Sequence, residues 1–526
     1  MKSFSALTLA LLLLLTACSQ PSGGTVRYDL DQPPSTLDPQ FAESDADRTA
    51  VANLFEGLMT LSASGEVLPA CAERYEESPD GCAYTFYLRE RMMWSDGTPL
   101  LANDFVFAFH RLFDAATPAP AAKQFMSLKN AEAVLHGKMP VDELGVTAPN
   151  EQTICFVLSQ RDPALPTRLT QSATMPCQSE FFHLQKGRYG LSAKNVLGNG
   201  PFELSSWQKD MLCLRRNERY RTPTAVDEVV MTLMPSRDLL ERFLAGSSDA
   251  CVVPAERLSE AQGLGGTRVY SQSWVLLFNL AHPAGASWEL RAALVSALNR
   301  QELFSRLPEA LLPSDALIPP DALLGVTSYR QLVGPPRMTI PQGDPRQLLG
   351  DALKKIGLTN LPSTTLLVGN FSPGYELGGL MQRCWQDQQS CYINLEQLPY
   401  PELMARIRSG HYDMALVPLM AQGVEPADYL TQFADVRLSA LRPAVHHEED
   451  GAYERTIGDL LAESRRSYDK AASDCFEAEQ RLIDGYVALP LYDAPSLFVQ
   501  REGVEGIVYA AATRTVYFSD ARQKKP

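Results

Sequence analysis

The chain has 526 residues, of which 45% are hydrophobic, 21% charged and 9% aromatic, a composition that excludes a disordered or membrane-embedded protein. Its 47 basic against 62 acidic residues give a formal charge of -15, and no block of Lys and Arg is present to neutralise phosphates, which argues against a nucleic-acid partner. The length supports two or more lobes rather than one small module.

At the N-terminus, Lys2 precedes an apolar run from Ala6 to Leu15 that ends in Leu15-Thr16-Ala17-Cys18, the pattern of an export signal. The run is shorter than the roughly 20 apolar residues that span a bilayer, and no second long apolar segment follows. Its last four residues resemble a bacterial lipobox. Residues 1–17 therefore read as a lipoprotein signal peptide, Cys18 as the lipidated residue and 18–25 as a flexible tether.

Export permits disulfides, and nine cysteines remain once Cys18 is set aside from the ten, so at least one thiol stays unpaired. Cys71 and Cys82 flank the turn signal Ser78-Pro79-Asp80-Gly81, and a bridge across the resulting hairpin is expected. Cys384 and Cys391 could close a similar loop. Spacing assigns no partner to Cys155, Cys177, Cys213, Cys251 or Cys475, which could equally be buried thiols. No CxxC is present.

Along the chain, Val26 to Leu30 alternates as a strand stopped by Gln32-Pro33-Pro34, and residues 48–59 carry helical spacing that ends near Gly57. Tyr84 to Leu88 reads as a strand, Trp94 to Pro99 as a turn, and Asn103 as the cap of a helix over 104–113. Gly198-Asn199-Gly200-Pro201 is a turn, 229–233 a strand, and 238–245 a helix stopped by Gly246. Residues 274–279 are apolar enough for a strand buried on both faces, and 290–303 form one amphipathic helix. Pro-rich stretches at 312–320 and 333–345 read as loops. The class is mixed α/β, and no tandem repeat suggests a solenoid.

Catalytic patterns are missing: the sequence holds no GxSxG, no HExxH, no Walker A motif and no GxGxxG after a strand. Gly137-Lys138 is followed by Met139 where a phosphate loop needs Ser or Thr. The run His446-His447-Glu448-Glu449-Asp450 offers metal-ligating groups, but adjacent histidines point apart and the stretch reads as a solvated loop. No enzymatic activity, cofactor or metal is expected.

Several stretches, in order, resemble the peptide and nickel family of solute-binding proteins, extracellular solute-binding family 5, whose best-known member is the oligopeptide-binding protein. These are Gln32 to Pro39, Asn53-Leu54-Phe55-Glu56-Gly57-Leu58, Tyr84 to Phe105 with its Trp94-Ser95-Asp96-Gly97-Thr98-Pro99-Leu100 core, Gly198 to Phe202, Arg216 to Tyr220, and Phe278-Asn279 leading into Arg291-Ala292-Ala293 and Ala297-Leu298-Asn299-Arg300. The resemblance spans nearly the whole mature chain. It implies a two-lobed, periplasmic-binding-protein-like α/β fold of class II with an additional third domain, and a ligand cleft between the lobes that closes by hinge motion. The implied division is 26–44, 185–270 and 485–526 for lobe I, 45–184 for the additional domain, and 271–484 for lobe II.

The same resemblance implies a monomeric peptide receptor working with an ABC permease and ATPase, anchored by its lipid to the outer face of the cytoplasmic membrane. Peptide binders of the family hold the ligand backbone as an added strand. Carried onto this chain, the cleft residues are Gln32, Pro33, Phe278, Asn279, Pro418, Met420, Gln422, Tyr492 and Asp493. The inter-lobe pattern D-x-A-x-x-x-W-x-A-D-x-x-[DE]-P departs here, with Leu419 for Trp and Gln422 for Asp. The replaced carboxylate pairs with the ligand's α-ammonium in the family's peptide binders. Gln422 could still accept a hydrogen bond from an amine, face a blocked or internally bound peptide or a neutral oligosaccharide, or make no contact. Asp493 could supply the missing charge. A metal chelate, an anchored hydrolase and an anchored chaperone or sensor are the remaining alternatives.

Overall fold

The computed structural model describes residues 23–62, 66–235, 238–370, 372–419, 421, 425–437, 455–510 and 513–524. The expectations at 1–17, Cys18, Met420, Gln422 and the histidine run at 446–450 lie outside the described residues.

Strand β1 (Gly24–Leu30) forms where alternation predicts it. Helix α1 (Asp45–Leu54) starts three residues earlier than its periodicity suggests, because Ser44 and Asp47 form a capping box: Asp47 N–H donates to Ser44 Oγ at 3.0 Å and Ser44 N–H to the Asp47 carboxylate at 3.1 Å. The helix also ends before Gly57, and Met59 opens a short strand instead.

A four-stranded antiparallel sheet follows, with β2 (Ala72–Glu77), β3 (Ala83–Leu88), β4 (Val146–Asn150) and β5 (Thr153–Val157) in the order β2-β3-β5-β4. Helix α2 (Ala102–Leu112) covers it, with Phe109 edge-on to Phe156 at 5.2 Å. The Trp94–Asp104 stretch acquires a structural role here. Trp94 is fully buried, and its indole N–H donates to the Asp104 carboxylate at 3.1 Å while Leu101 N–H donates to the same oxygen at 2.9 Å. Asp104, not Asn103, therefore caps the helix. Asp96 accepts from Thr98 N–H at 2.9 Å, and Gly97 takes the positive φ of 91° that the turn requires.

The main sheet has eleven strands. Those introduced in chain order are β6 (Phe202–Gln208), β7 (Met211–Arg216), β8 (Val226–Leu233), β9 (Ala250–Val253), β10 (Thr267–Phe278), β11 (Leu312–Pro313), β12 (Thr365–Gly369), β13 (Asn394–Leu398), β14 (Met414–Pro418) and β15 (Ala488–Gln500). Their order is β13-β12-β14-β10-β15-β9-β1-β8-β7-β6, with β11 on β15. The two longest strands join the halves. β10 starts beside the end of β15 near β9, pairing Thr267 with Phe498, and finishes beside β14, pairing Phe278 with Met414; β15 returns antiparallel. The core divides in the same way. One cluster spans β1, β6–β8 and the small sheet, and two others lie on opposite faces of β10, with Val275 and Leu277 on one side and Trp274, Leu276 and Phe278 on the other. Burial on both faces matches the apolar run read from the sequence, and truncating one of these large side chains to Ala costs about 2–5 kcal/mol.

The predicted helix over 290–303 is two helices, α3 (Trp288–Ser296) and α4 (Arg300–Ser305). Asn299 breaks the run because its side chain accepts from Glu302 N–H at 3.2 Å, capping the second helix in place of continuing the first.

The expected disulfides are absent: Cys71, Cys82, Cys384 and Cys391 are all free thiols. The hairpin explains the first pair. Its register sets Ala72 opposite Leu88 and Glu77 opposite Tyr84, so Cys82 sits at the turn while Cys71 sits at the open end, about 15–20 Å away at the rise of a strand. Cys71 is buried there, with its thiol against the Glu56 carbonyl at 3.3 Å. Cys384 lies inside helix α5 (Gly374–Gln389) and Cys391 beyond its end, so the intervening helical rise keeps them from bonding distance.

Candidate functional site

The floor between the halves is made where β10 and β15 run side by side. Ser273 pairs with Asp493, and Trp274 with both Tyr492 and Pro418. The Ser273 hydroxyl donates to Asp493 Oδ1 at 2.6 Å, and Leu419 N–H donates to the Ser273 carbonyl at 2.8 Å. On the opposite face of the sheet the Trp274 and Tyr492 rings stack, with centroids 5.7 Å apart and planes 11° from parallel. Burial pushes the Asp493 carboxyl up to about 6, against the opposing hydrogen bonds from Ser273 and Ser314. A carboxylic acid in this state changes charge in the mildly acidic range.

Among the described residues, polar contacts tie the halves together at Arg168, Arg161 and Arg514. Arg168, the last residue of a short helix at Leu165–Arg168, donates to both Asp162 and Glu425, and all three side chains are buried. Glu425 caps helix α6 (Pro426–Leu430), so the ion pair fixes the start of that helix to the small-sheet side. Burial pushes Glu425 up from its ordinary range, and Arg168 opposes that shift. Nearby, Arg161 lies 3.8 Å from Asp469. Arg514 occupies the turn between β16 (Val508–Ala510) and β17 (Thr515–Tyr517) and donates to the Ala421 carbonyl at 3.3 Å.

Of the residues expected to line the cleft, the structure brings Pro418, Tyr492 and Asp493 together, all buried. Gln32 and Pro33 are exposed just past β1, in a loop held to α1 by Ser35 N–H donating to Asp47 at 2.6 Å. Phe278 and Asn279 lie apart from that group at the far end of β10, about 17 and 20 Å from Ser273 at the rise of a strand. Phe278 is buried, and Asn279 Nδ2 donates to the Gly410 and Tyr412 carbonyls at 3.2 and 2.6 Å. Asn279 instead borders a separate depression of about 440 Å³ with His282, Arg406 and His411.

Sequence reading missed Ser273, Arg168 and Arg514. Glu425 stood in the quoted inter-lobe pattern, but nothing in the sequence pointed to its partner Arg168. Among the described residues no group of three His, Cys, Asp or Glu could hold a metal, and no helix is long and apolar enough to cross a membrane.

Two α/β halves threaded by two shared strands are the two-lobed architecture of the periplasmic-binding-protein-like folds. Residues 66–437 match the family model described as bacterial extracellular solute-binding proteins, family 5 middle. The chain belongs to that family. It is 32% identical over 320 residues to the probable deoxycholate-binding periplasmic protein YgiS of Escherichia coli K12, covering 59% of this chain and 60% of that one. It is 24% identical to the oligopeptide-binding protein OppA of Bacillus subtilis 168, covering 99% of each. Its fold is similar to that of Haemophilus influenzae OppA in complex with the peptide RPPGFSPFR, with a TM-score of 0.74 at 20% identity over 96% of this chain and 99% of that one.

Proposed function

We propose that this protein is the extracytoplasmic receptor of an ABC importer and that it encloses a peptide between its lobes. The observation that carries the reading is the pairing of β10 with β15 across both halves, closed over by the Arg514 and Arg168 contacts, in a chain matched end to end by an oligopeptide-binding relative. A ligand held through its backbone as an added strand tolerates varied side chains, which suits an oligopeptide receptor. Cys18 anchors the protein by lipid, the lobes divide at the boundaries read from the sequence, and the receptor acts as a monomer without chemistry or cofactor of its own.

A second reading, an acidic amphiphile in place of a peptide, is favoured by the relative named as a probable deoxycholate binder and by Gln422 standing where the family pattern has a carboxylate. A thermal-shift screen of protein lacking residues 1–18 separates the two. Stabilisation by peptides of two to nine residues supports the first, because a ligand bound only by the native state raises the midpoint. Stabilisation by deoxycholate alone replaces it with the second.

A further inference from the structure

The two strands that join the halves are paired only to each other over a short stretch. β14 lies beside β10 from Trp274 onward, β9 lies beside β15 from Leu497 onward, and β11 reaches β15 at Tyr492 and Asp493. Among the described residues, the link at 269–272 and 494–496 is therefore two strands wide, and a ribbon this narrow bends more readily than the sheet on either side. Its register breaks at both ends. Val269 pairs with Ser496 and Gln272 with Ala494, so Tyr270 and Ser271 both stand opposite Pro495, which has no N–H to give the ladder. Trp274 pairs with Tyr492 and Val275 with Pro490, which makes Leu491 the extra residue on the other strand.

One loop takes up both bulges. Tyr270 N–H donates to Asp321 Oδ2 at 2.6 Å and its hydroxyl to the Ala310 carbonyl at 3.4 Å, so the two ends of the loop hold one residue of β10. Ser314 N–H donates to the Leu491 carbonyl at 3.1 Å, beside the pairing of Leu312 and Pro313 with Asp493 and Tyr492. The loop is fixed in turn to the half that holds β14. Leu317 N–H and Ile318 N–H each donate to Glu479 Oε1 at 2.9 Å, and Glu479, fully buried in the helix Tyr468–Asp484, pairs with Arg330. Arg300 pairs with Asp315 and donates to the Ser314 carbonyl at 3.2 Å. A main chain held on a buried, fully bonded ion pair is a rigid base for what it grips.

We propose that residues 310–321 form a strap across the hinge: anchored on Glu479, they satisfy main-chain groups that both bulges leave outside the ladder and hold the joining strands in the bend at which Arg168 meets Glu425 and Arg514 meets Ala421. Opening breaks the tie at the Tyr270 amide, because Asp321 is fixed to one half while Thr267 to Val269 run into the other. Asp321 is exposed, so that tie is made and broken without unpacking the core. It is a positioning residue that acts on the lobes through β10. The inference concerns closure, and it stands for a peptide and for an acidic amphiphile alike.

The test is hydrogen–deuterium exchange with small-angle X-ray scattering on ligand-free protein lacking residues 1–18, comparing the parent, Asp321→Ala, and Asp321→Asn, which keeps an acceptor for the Tyr270 amide. A hydrogen bond of ordinary net strength changes an opening equilibrium about two- to ten-fold. The strap predicts that Asp321→Ala raises exchange by that factor at residues 267–273 and also at the distant seam, residues 162–169 and 425–430, and enlarges the radius of gyration, while Asp321→Asn behaves as the parent. Faster exchange at 267–273 with the seam and the radius unchanged reduces the tie to a local contact and overturns the strap. Equal exchange in all three proteins overturns it as well, and so does an Asp321→Asn protein as open as Asp321→Ala. Asp315→Ala, which frees the loop from Arg300, serves if Asp321→Ala does not fold and carries the same expected rise at the seam.

Discussion

Arg168 donates to Glu425 across 257 positions of sequence, and both side chains are buried at the seam between the two halves of the molecule. Asp162 accepts from the same guanidinium, so one cation answers two carboxylates. Removing one partner of such a group leaves an uncompensated charge, whereas replacing the whole group with apolar residues is often neutral.

Arg168→Met is therefore expected to lower unfolding stability by about 3–5 kcal/mol, measured by urea denaturation at pH 7. The triple change Asp162→Asn, Arg168→Met and Glu425→Gln should recover at least half of that loss. A single variant within about 0.5 kcal/mol of the parent would show that water replaces the pair.

Asp493 gives a pH dependence whose sign follows from burial. Its folded value is about 6 against an ordinary 3.8, so between these pH values the native state holds a proton that the unfolded chain releases. The contribution is fully present below about pH 4 and lost as pH rises through 6. A shift of this size is on the order of 3 kcal/mol at most. Asp493→Asn should gain stability relative to the parent as pH is raised from 4 to 7, read from denaturation midpoints across that range. A constant difference at every pH contradicts a protonated buried Asp493.

Trp94 and Asp104 are predicted to matter for the fold and not for the ligand. Trp94→Phe removes the indole donor and leaves the buried Asp104 carboxyl with one fewer partner, at a cost of about 2–4 kcal/mol in denaturation. Ligand affinity of the folded variant should stay within about two-fold of the parent, measured by calorimetry. A larger loss would place Trp94 in the cleft.

The nine described cysteines are expected to titrate as nine thiols in denaturant, and a reducing agent should leave the melting temperature unchanged. Burial pushes the Cys71, Cys177, Cys251 and Cys475 thiols up, which slows their oxidation. A melting temperature that falls on reduction would reveal a bridge.

Replacing Cys18 with Ser should move the protein from the membrane fraction to the soluble extracytoplasmic fraction, followed by immunoblot. Retention on the membrane contradicts lipid anchoring at that residue.

Much of the fold is legible in the sequence because it is locally encoded. The alternation at Val26 to Leu30, the turn at Trp94 to Pro99 and the doubly buried run ending at Phe278 depend on neighbours a few positions away. The errors come from competing local chemistry: Asn299 caps a new helix inside an apolar period, and Ser44 with Asp47 starts a helix upstream of one. The turn at Ser78 to Gly81 suggests that Cys71 and Cys82 come together, whereas the hairpin register separates them. The candidate site was the least legible part. Arg168 and Glu425 touch at a separation of 257 residues, and no local pattern encodes such a meeting. Asn279 was carried over from a matching segment, and only the length of β10 reveals how far it lies from Ser273 and Asp493.

The central claim, that the lobes enclose a peptide, is tested most directly by calorimetric titration of the soluble protein, freed of any co-purified ligand, with peptide pools of defined length. The account predicts saturable one-to-one binding with a negative heat-capacity change, the mark of apolar surface closing over the ligand. Absence of heat and of saturation with every pool at millimolar peptide would contradict it.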